Sequence, residues 1–417
     1  SSFPWLQPQQ GSRFSPPPAM AKEGCCKHCQ DDSEDDISGD DSGSYDPDDE
    51  DDPDEGERRH FLDVCWSFMA YPRDVAHELA RLRDDVNSLD DADLALWSVN
   101  PETWLHEVQW RAEENGKFLT LLPVPEVSGA DLGPDPDRMV REVPPGHRVA
   151  SRNSSKARST LQQLVRDWAK EGEPEREASY QPLIKALLRH LPPGRGPPPT
   201  VLCPGCGLGR LPFDLVCRGY AAQGNEFSYH MLLGSHLILN RCTQANCFTI
   251  YPFATSTTNR QASKDHLRAV KVPDLCPRAA LPPYAQLSMV AGEFIEVYKD
   301  QVGEWDAVAT AFFIDTAKNI LLYIRTMAQI LRTGGIWTNL GPLLYHYADV
   351  EHEISIELSW EEVRPAICRY FDLVEETTMV SQYAANRTSL QGVRYRCKFF
   401  VAVRNSVPPA GTSHPVF

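Results

Sequence analysis

From His60 to about Trp97, apolar side chains recur three and four positions apart, first Phe61, Val64, Cys65 and Phe68, then Val75, Leu79, Leu82 and Val86. That spacing predicts core-facing helices. Helical periodicity returns through Leu161, Leu164, Val165 and Trp168, and again through Leu183, Ile184, Leu187 and Leu188, before the Pro/Gly run Pro192 to Pro199 closes the segment as a domain boundary. The stretch between, Ser98 to Ala150, offers Trp104, Val108 and Phe118 to Leu122 for packing. Its prolines, Pro123, Pro125, Pro134, Pro136, Pro144 and Pro145, predict a short helix followed by loop.

Past Pro199 the period changes. Thr200 to Cys203 reads as a short apolar strand, Gly205 to Gly209 as a tight glycine turn and Leu211 to Arg218 as a helix, with Tyr220 to Gly224 as a second strand ending at Asn225-Glu226. Further on, Trp305 to Ile314 reads as a buried strand, Asn319 to Leu331 as an amphipathic helix stopped at Thr333-Gly334-Gly335, and Ile336 to Leu340 as the next strand. Strands alternating with helices of this length imply an α/β fold, with an open and mostly parallel sheet covered on both faces. Phe371 to Thr377 and Tyr395 to Val403 suit an antiparallel pair at one edge.

Charge refines the division. The 417 residues carry a net charge of −17, which disfavours general attraction to nucleic acid or anionic lipid. Residues 1–57 hold 17 acidic and 3 basic side chains, so the remainder is nearly neutral. This start is poor in groups to bury and predicts a disordered acidic tail. A helical region over 58–199, an α/β domain over 200–406 and a flexible end over 407–417 follow. No apolar run is long enough to span a bilayer and no signal peptide is legible, so a soluble intracellular protein is expected. The 12 cysteines are scattered, several inside apolar segments, and reduced thiols fit them better than a disulfide framework. Cys25, Cys26, His28 and Cys29 have metal-binding side chains but lack the separated pairs of a zinc site, and no metal is expected.

The turn Gly205-Cys206-Gly207-Leu208-Gly209 lets backbone approach a ligand closely. Glu226 falls 21 residues after Gly205, where a carboxylate at a strand end can accept both hydroxyls of an adenosine ribose. Two cofactors compete for this pattern, a nicotinamide dinucleotide and S-adenosylmethionine. The glycine spacing departs from G-x-G-x-x-G, and nothing else suggests a hydride acceptor pocket. Glu293 and Phe294, in Ala291-Gly292-Glu293-Phe294, can offer a carboxylate and a ring to an adenine. Ala309-Thr310-Ala311-Phe312 ends a strand over the switch point, and Phe312 reads better as core than as site. Cys203 and Cys206 have redox C-x-x-C spacing, but the second lies inside the glycine turn, which favours packing.

Together VLCPGCGLGRLPFDL, GYAAQGNEFSYHML, FFIDTAKN, LRTGGIWTNLGPLLYH and the ELS of Ile356 to Ser359 resemble the carnosine N-methyltransferase family over roughly 58–97 and 152–404. The resemblance implies a Rossmann-like class I methyltransferase domain with S-adenosylmethionine as cofactor. The implied reaction methylates the imidazole of carnosine at the ring nitrogen nearer the backbone, giving anserine. Carried over position by position, cofactor contacts fall on Gln163, Arg166, Gly205, Glu226, Glu293, Phe294 and, by backbone, Ala311; substrate and catalytic positions fall on Asp315, His346 and Tyr395. Glu293 stands where the family commonly has Asp, Ala311 where it commonly has Cys, and Val393 where a second aromatic is expected. The helical segment is a candidate homodimer surface by the same analogy, and the cytosol, with the nucleus second, is the implied location.

Such a reaction needs a neutral imidazole with its lone pair on the correct nitrogen, and Asp315 would select that tautomer by accepting the N–H of the other nitrogen. His346 and Tyr395 would anchor the rest of the dipeptide or help remove the proton. Against this, Asp315 could merely cap a helix starting near Thr316, and His346 could be a core histidine. A protein-histidine or small-amine methyltransferase, and a non-catalytic S-adenosylmethionine-binding interaction protein, are the alternative functions. A nucleic-acid methyltransferase lacks an Asn-Pro-Pro-Tyr-like motif and a dense basic stripe.

Overall fold

A computed structural model describes residues 53–129 and 131–409. The cysteine-rich segment 25–29 and most of the acidic start lie outside the described residues. The helical region comprises α1 (Pro53–Asn87), α2 (Asp91–Leu96), α3 (Pro101–Leu119), α4 (Pro136–Arg141), α5 (Ser151–Trp168) and α6 (Glu173–His190). Two expectations are corrected here. Helix α1 begins at Pro53, inside the segment expected to be tail, with Arg58 bonded to Glu55 one turn away at 2.9 Å. In the stretch expected to hold only a short helix, α3 runs for 19 residues. Pro101 stands in its first turn, where a missing N–H costs nothing, Asn100 caps it, and the helix-breaking prolines begin only beyond its end.

The sheet is built from β1 (Thr200–Pro204), β2 (Ala221–Glu226), β5 (Leu287–Ala291), β6 (Trp305–Ala311), β7 (Leu331–Gly341), β8 (Phe371–Ser381) and β9 (Tyr395–Arg404), in the order β5-β2-β1-β6-β7-β9-β8. The first five are parallel; β9 pairs antiparallel with β7 and β8. This is the Rossmann-like sheet expected from the sequence. A small antiparallel pair, β3 (Phe248–Ile250) with β4 (Val270–Val272), stands apart. Helices α7 (Arg210–Val216), α8 (Tyr229–His236), α9 (Pro277–Ala280), α10 (Phe294–Tyr298), α11 (Ile320–Ile330) and α12 (Trp360–Cys368) complete the chain.

Alternation along the strands explains why both faces are covered. Val201, Cys203, Ala307, Ala309, Ile336 and Val401 enter one core with α1, α5 and α6, while Leu202, Val308, Trp337, Phe400 and Ala402 enter the other with α11 and α12. A one-residue slip would exchange the two sets. Helix α5 is tied to the sheet at its end. Trp168 Nε1 donates to the Leu208 carbonyl (3.0 Å), Arg210 Nη1 donates to the Asp167 carbonyl (2.8 Å), and Asp274 accepts from Arg176 (2.7 Å) and Arg210 (2.9 Å). The last turn of α5 therefore sits directly over the turn that follows β1.

Candidate functional site

The ends of β1 and β6 and the last two turns of α5 enclose a cleft, into which Tyr180 and Tyr383 also reach. Four of the expected cofactor positions, Gln163, Arg166, Gly205 and Ala311, line it. Gly205 has φ +61°, and a Cβ there would collide with the Phe313 ring. The turn can take this path only with glycine.

Glu226, at the end of β2, is held by three backbone donors. Gly207 N–H reaches one carboxylate oxygen at 2.8 Å, and the N–H groups of Phe227 and Ser228 reach the other at 2.9 Å each. These bonds hold the carboxylate against the glycine turn.

Arg166 is 5% exposed. Its Nη1 donates to the Tyr180 hydroxyl (2.6 Å) and to Asp167 Oδ1 (3.1 Å), and its Nε lies 2.9 Å from Glu175 Oε1. Burial pulls the guanidinium down, but Tyr180, Asp167, Tyr383 and Glu175 carry it net upward, so it stays charged. Nη2 and Nε are both buried without a hydrogen-bond partner among the described residues, Nε meeting Glu175 as an ion pair only. A buried donor left unpaired is costly, and the carboxylate of an amino-acid-bearing cofactor such as S-adenosylmethionine is the chemistry that fits it. With the glycine turn and Glu226, the residues present suit that cofactor.

Glu293 and Phe294 lie further along. Glu293 caps α10 by accepting the Glu296 N–H (2.9 Å), and Tyr323 donates to it at 3.4 Å; burial raises its carboxyl. The Phe294 ring is not brought to the cleft. It is 2% exposed and packed against Tyr298, Phe313 and Tyr323, because α10 starts there and turns its first side chain inward. Cys203 and Cys206 are buried and free, their thiols raised by burial, with Cys206 Sγ 3.7 Å from the Met289 sulfur. They pack, as the turn position suggested.

Asp315 lies in a short 3-10 turn, Ile314–Thr316, after β6. It does not cap a helix, for Asn319 caps α11. Asp315 Oδ2 instead accepts the Leu344 N–H at 2.9 Å, and its carbonyl accepts the His346 N–H at 3.1 Å, so the loop after β7 is stitched to the turn after β6. The side chain is 2% exposed, and Oδ1 has no partner among the described residues. Burial raises its carboxyl, with His346 and the Leu344 N–H opposing. Burial lowers His346, with Asp315 opposing, which leaves the imidazole neutral near pH 7. Tyr395 opens β9, two positions from Cys397, whose thiol feels the Asp315 charge; neighbouring positions of this kind share a strand face.

Two residues outside the expected set join the cofactor cleft to this corner. Phe312, read from sequence as core, is half-buried and lines the cleft. Its backbone is left-handed (φ +53°), and its ring lies 6.1 Å from Tyr395 and 5.0 Å from Tyr383. Tyr383, from the loop between β8 and β9, also lines the cleft, 4.6 Å from the Arg166 guanidinium. A lone aromatic in the polar run Ser381 to Ser389 was the available signal; the turn at Phe312 left none.

The comparisons with known proteins agree with this geometry. A family model described as carnosine N-methyltransferase matches residues 146–406. The carnosine N-methyltransferase of Mus musculus is 37% identical over 352 residues, covering 83% of this chain and 86% of its own length. That of Drosophila melanogaster is 35% identical over 372 residues, covering 83% and 80% respectively. A shorter match, 39% identical over 255 residues, links 60% of this chain to 54% of the carnosine N-methyltransferase of Dictyostelium discoideum.

Proposed function

The chain belongs to the carnosine N-methyltransferase family, and from that membership we infer that it methylates carnosine on the imidazole nitrogen nearer the backbone, using S-adenosylmethionine and giving anserine. The bound cofactor supplies a methyl group on a sulfonium, already activated for displacement. What remains for the protein is to bind, orient and manage one proton. Arg166 Nη2 holds the carboxylate end of the cofactor, Glu226 the ribose, and the Gly205 turn admits the backbone between them. Phe312 and Tyr383 line the cleft, and the Phe312 ring lies 6.1 Å from that of Tyr395 just beyond its lining.

The unpartnered Oδ1 of Asp315 carries the proposal. A carboxylate fixed by the Leu344 N–H, with one oxygen left over in a buried corner, is a ready acceptor for an imidazole N–H. Accepting the proton-bearing far nitrogen leaves the near nitrogen with its lone pair exposed, and the same carboxylate stabilises the positive ring as the methyl arrives. His346 and Tyr395 hold the remainder of the dipeptide.

The test is product analysis. The purified chain is incubated with methyl-labelled S-adenosylmethionine and, separately, carnosine, free histidine and a histidine-containing peptide, and the label is located by fragmentation mass spectrometry. Ring-labelled anserine from carnosine, with far slower labelling of histidine and the peptide, is expected. Preferential labelling of the peptide favours a protein-histidine methyltransferase instead.

A further inference from the structure

One carboxylate outside the cleft is bonded as if it governed the cleft. Glu175, in the first turn of α6 and 7% exposed, accepts the Ala384 N–H on Oε1 (2.8 Å) and the Ala385 N–H on Oε2 (3.3 Å), while Oε1 also lies 2.9 Å from Arg166 Nε. A single buried side chain thus joins the guanidinium on α5 to a segment more than two hundred residues away in sequence. That segment is the strap 382–394 between β8 and β9, and Tyr383, next to the bonded amides, is the residue whose ring rests on Arg166 and lines the cleft.

The strap owes its position to such polar anchors. Its residues are exposed or half-buried, so little apolar packing holds it. Ala384 is left-handed at φ +49°, a conformation a non-glycine residue keeps only where its surroundings over-determine it. At its far side, Arg268 Nη1 donates to Asn386 Oδ1 (3.0 Å) and Thr388 Oγ1 (2.9 Å) while pairing with Glu171, and the Leu390 N–H donates to the Asn259 carbonyl (2.8 Å). Of these anchors, those through Glu175 and through Arg268 with Glu171 run to acids at the junction of α5 and α6, and of those two the Glu175 anchor touches Arg166.

We propose that Glu175 is a positioning residue for the methyl transfer: it holds the Arg166 guanidinium by an ion pair and, through the Ala384 and Ala385 amides, seats Tyr383 over the cofactor cleft. It rests on the reading of that cleft as the S-adenosylmethionine site. Glu175 never meets cofactor or substrate; it acts through the two residues that do. Because the strap and the cofactor then share Arg166, each strengthens the hold of the other, and the coupling is reciprocal.

The experiment combines calorimetric titration with S-adenosylmethionine, steady-state kinetics with carnosine, and amide hydrogen exchange on the full chain. In the unaltered protein the cofactor slows exchange in 382–394. Glu175→Gln raises the KM for S-adenosylmethionine roughly tenfold, the scale common for coupled sites, speeds exchange at Ala384 and Ala385, and leaves exchange in β1 and β6 as before. Tyr383→Leu, which keeps every Glu175 bond, gives a similar KM rise with the strap amides still protected. Glu175→Gln with faster strap exchange but unaltered KM and kcat overturns the inference. If Glu175→Gln does not fold, Tyr383→Leu decides, and an unaltered KM there overturns it. An unaltered chain that takes up no S-adenosylmethionine contradicts the underlying cofactor reading; it is told apart from failure of the inference, in which the unaltered chain binds and both variants bind as well.

Discussion

The two ends of the site are built by opposite electrostatic means. At the proposed cofactor end, charges are kept: Arg166 is buried yet held charged by Tyr180, Asp167, Tyr383 and Glu175, and Glu226 is fixed by three amide donors. At the proposed substrate end, charges are discouraged: burial raises Asp315 and lowers His346, each only partly offset by the other. The cofactor carries permanent charges that need fixed partners, whereas the nucleophile is an imidazole that must arrive neutral. A corner that disfavours imidazolium until the methyl arrives, with one carboxylate to receive the charge then formed, meets that need.

The sharpest way to break this contrast is Asp315→Asn. The amide oxygen can still accept the Leu344 N–H, but it cannot stabilise the positive ring, so turnover should fall by about 10²–10⁴ in a methyl-transfer assay with cofactor affinity unaltered. Stability should move the other way. The folded pKa of Asp315 is raised, so its stabilising contribution is present below the unfolded pKa and is lost as pH rises through the folded pKa. Asp315→Asn is thus expected to melt at or above the Tm of the unaltered protein at pH 8. A large Tm loss with turnover intact would make Asp315 a structural residue.

At the other end, Arg166→Ala should weaken cofactor binding by about 2–5 kcal/mol in calorimetry, and lower the Tm as well, because Asp167 and Glu175 lose their buried partner. Here binding and stability fall together, where at Asp315 activity and stability part. Gly205→Ala comes next. Its left-handed backbone and the collision with Phe313 should cost about 1–3 kcal/mol of stability, read by denaturant unfolding, with cofactor affinity reduced alongside.

The smallest effect sharpens the comparison through pH. Lowering the pH protonates free carnosine near its ordinary value of about 6.5 and, with it, Asp315 as pH falls through its raised pKa. The kcat/KM for carnosine should therefore decline on the acid side while S-adenosylmethionine binding, resting on Arg166, stays level. Titrating both between pH 5.5 and 8 checks this; parallel declines would erase the distinction between the two ends.

How much of this was legible in the sequence follows from the kind of interaction involved. The glycine turn, Glu226 and the alternation of strands with helices are local signals, and the structure places them as expected. Gln163 and Arg166 came from resemblance alone, because nothing in the periodicity of α5 reveals that its last turns fold over β1. The length of α3 is hidden by the density of prolines around it, whose positions, one in the first turn and the rest beyond the end, leave the helix intact. The cysteine pair is buried, as its place in the turn suggests, and also lines the cleft. Phe312 went unrecognised because its left-handed backbone is set by tertiary context, and Glu175 because its partners are more than two hundred residues away.

Nitrogen-15 NMR of ring-labelled carnosine, bound together with S-adenosylhomocysteine, reads the tautomer itself. The account predicts that the imidazole proton resides on the nitrogen farther from the backbone in the complex, and that Asp315→Asn returns the ring toward the mixture seen in free solution. A bound ring with its proton on the nearer nitrogen, or an Asp315→Asn complex indistinguishable from the unaltered one, would contradict it.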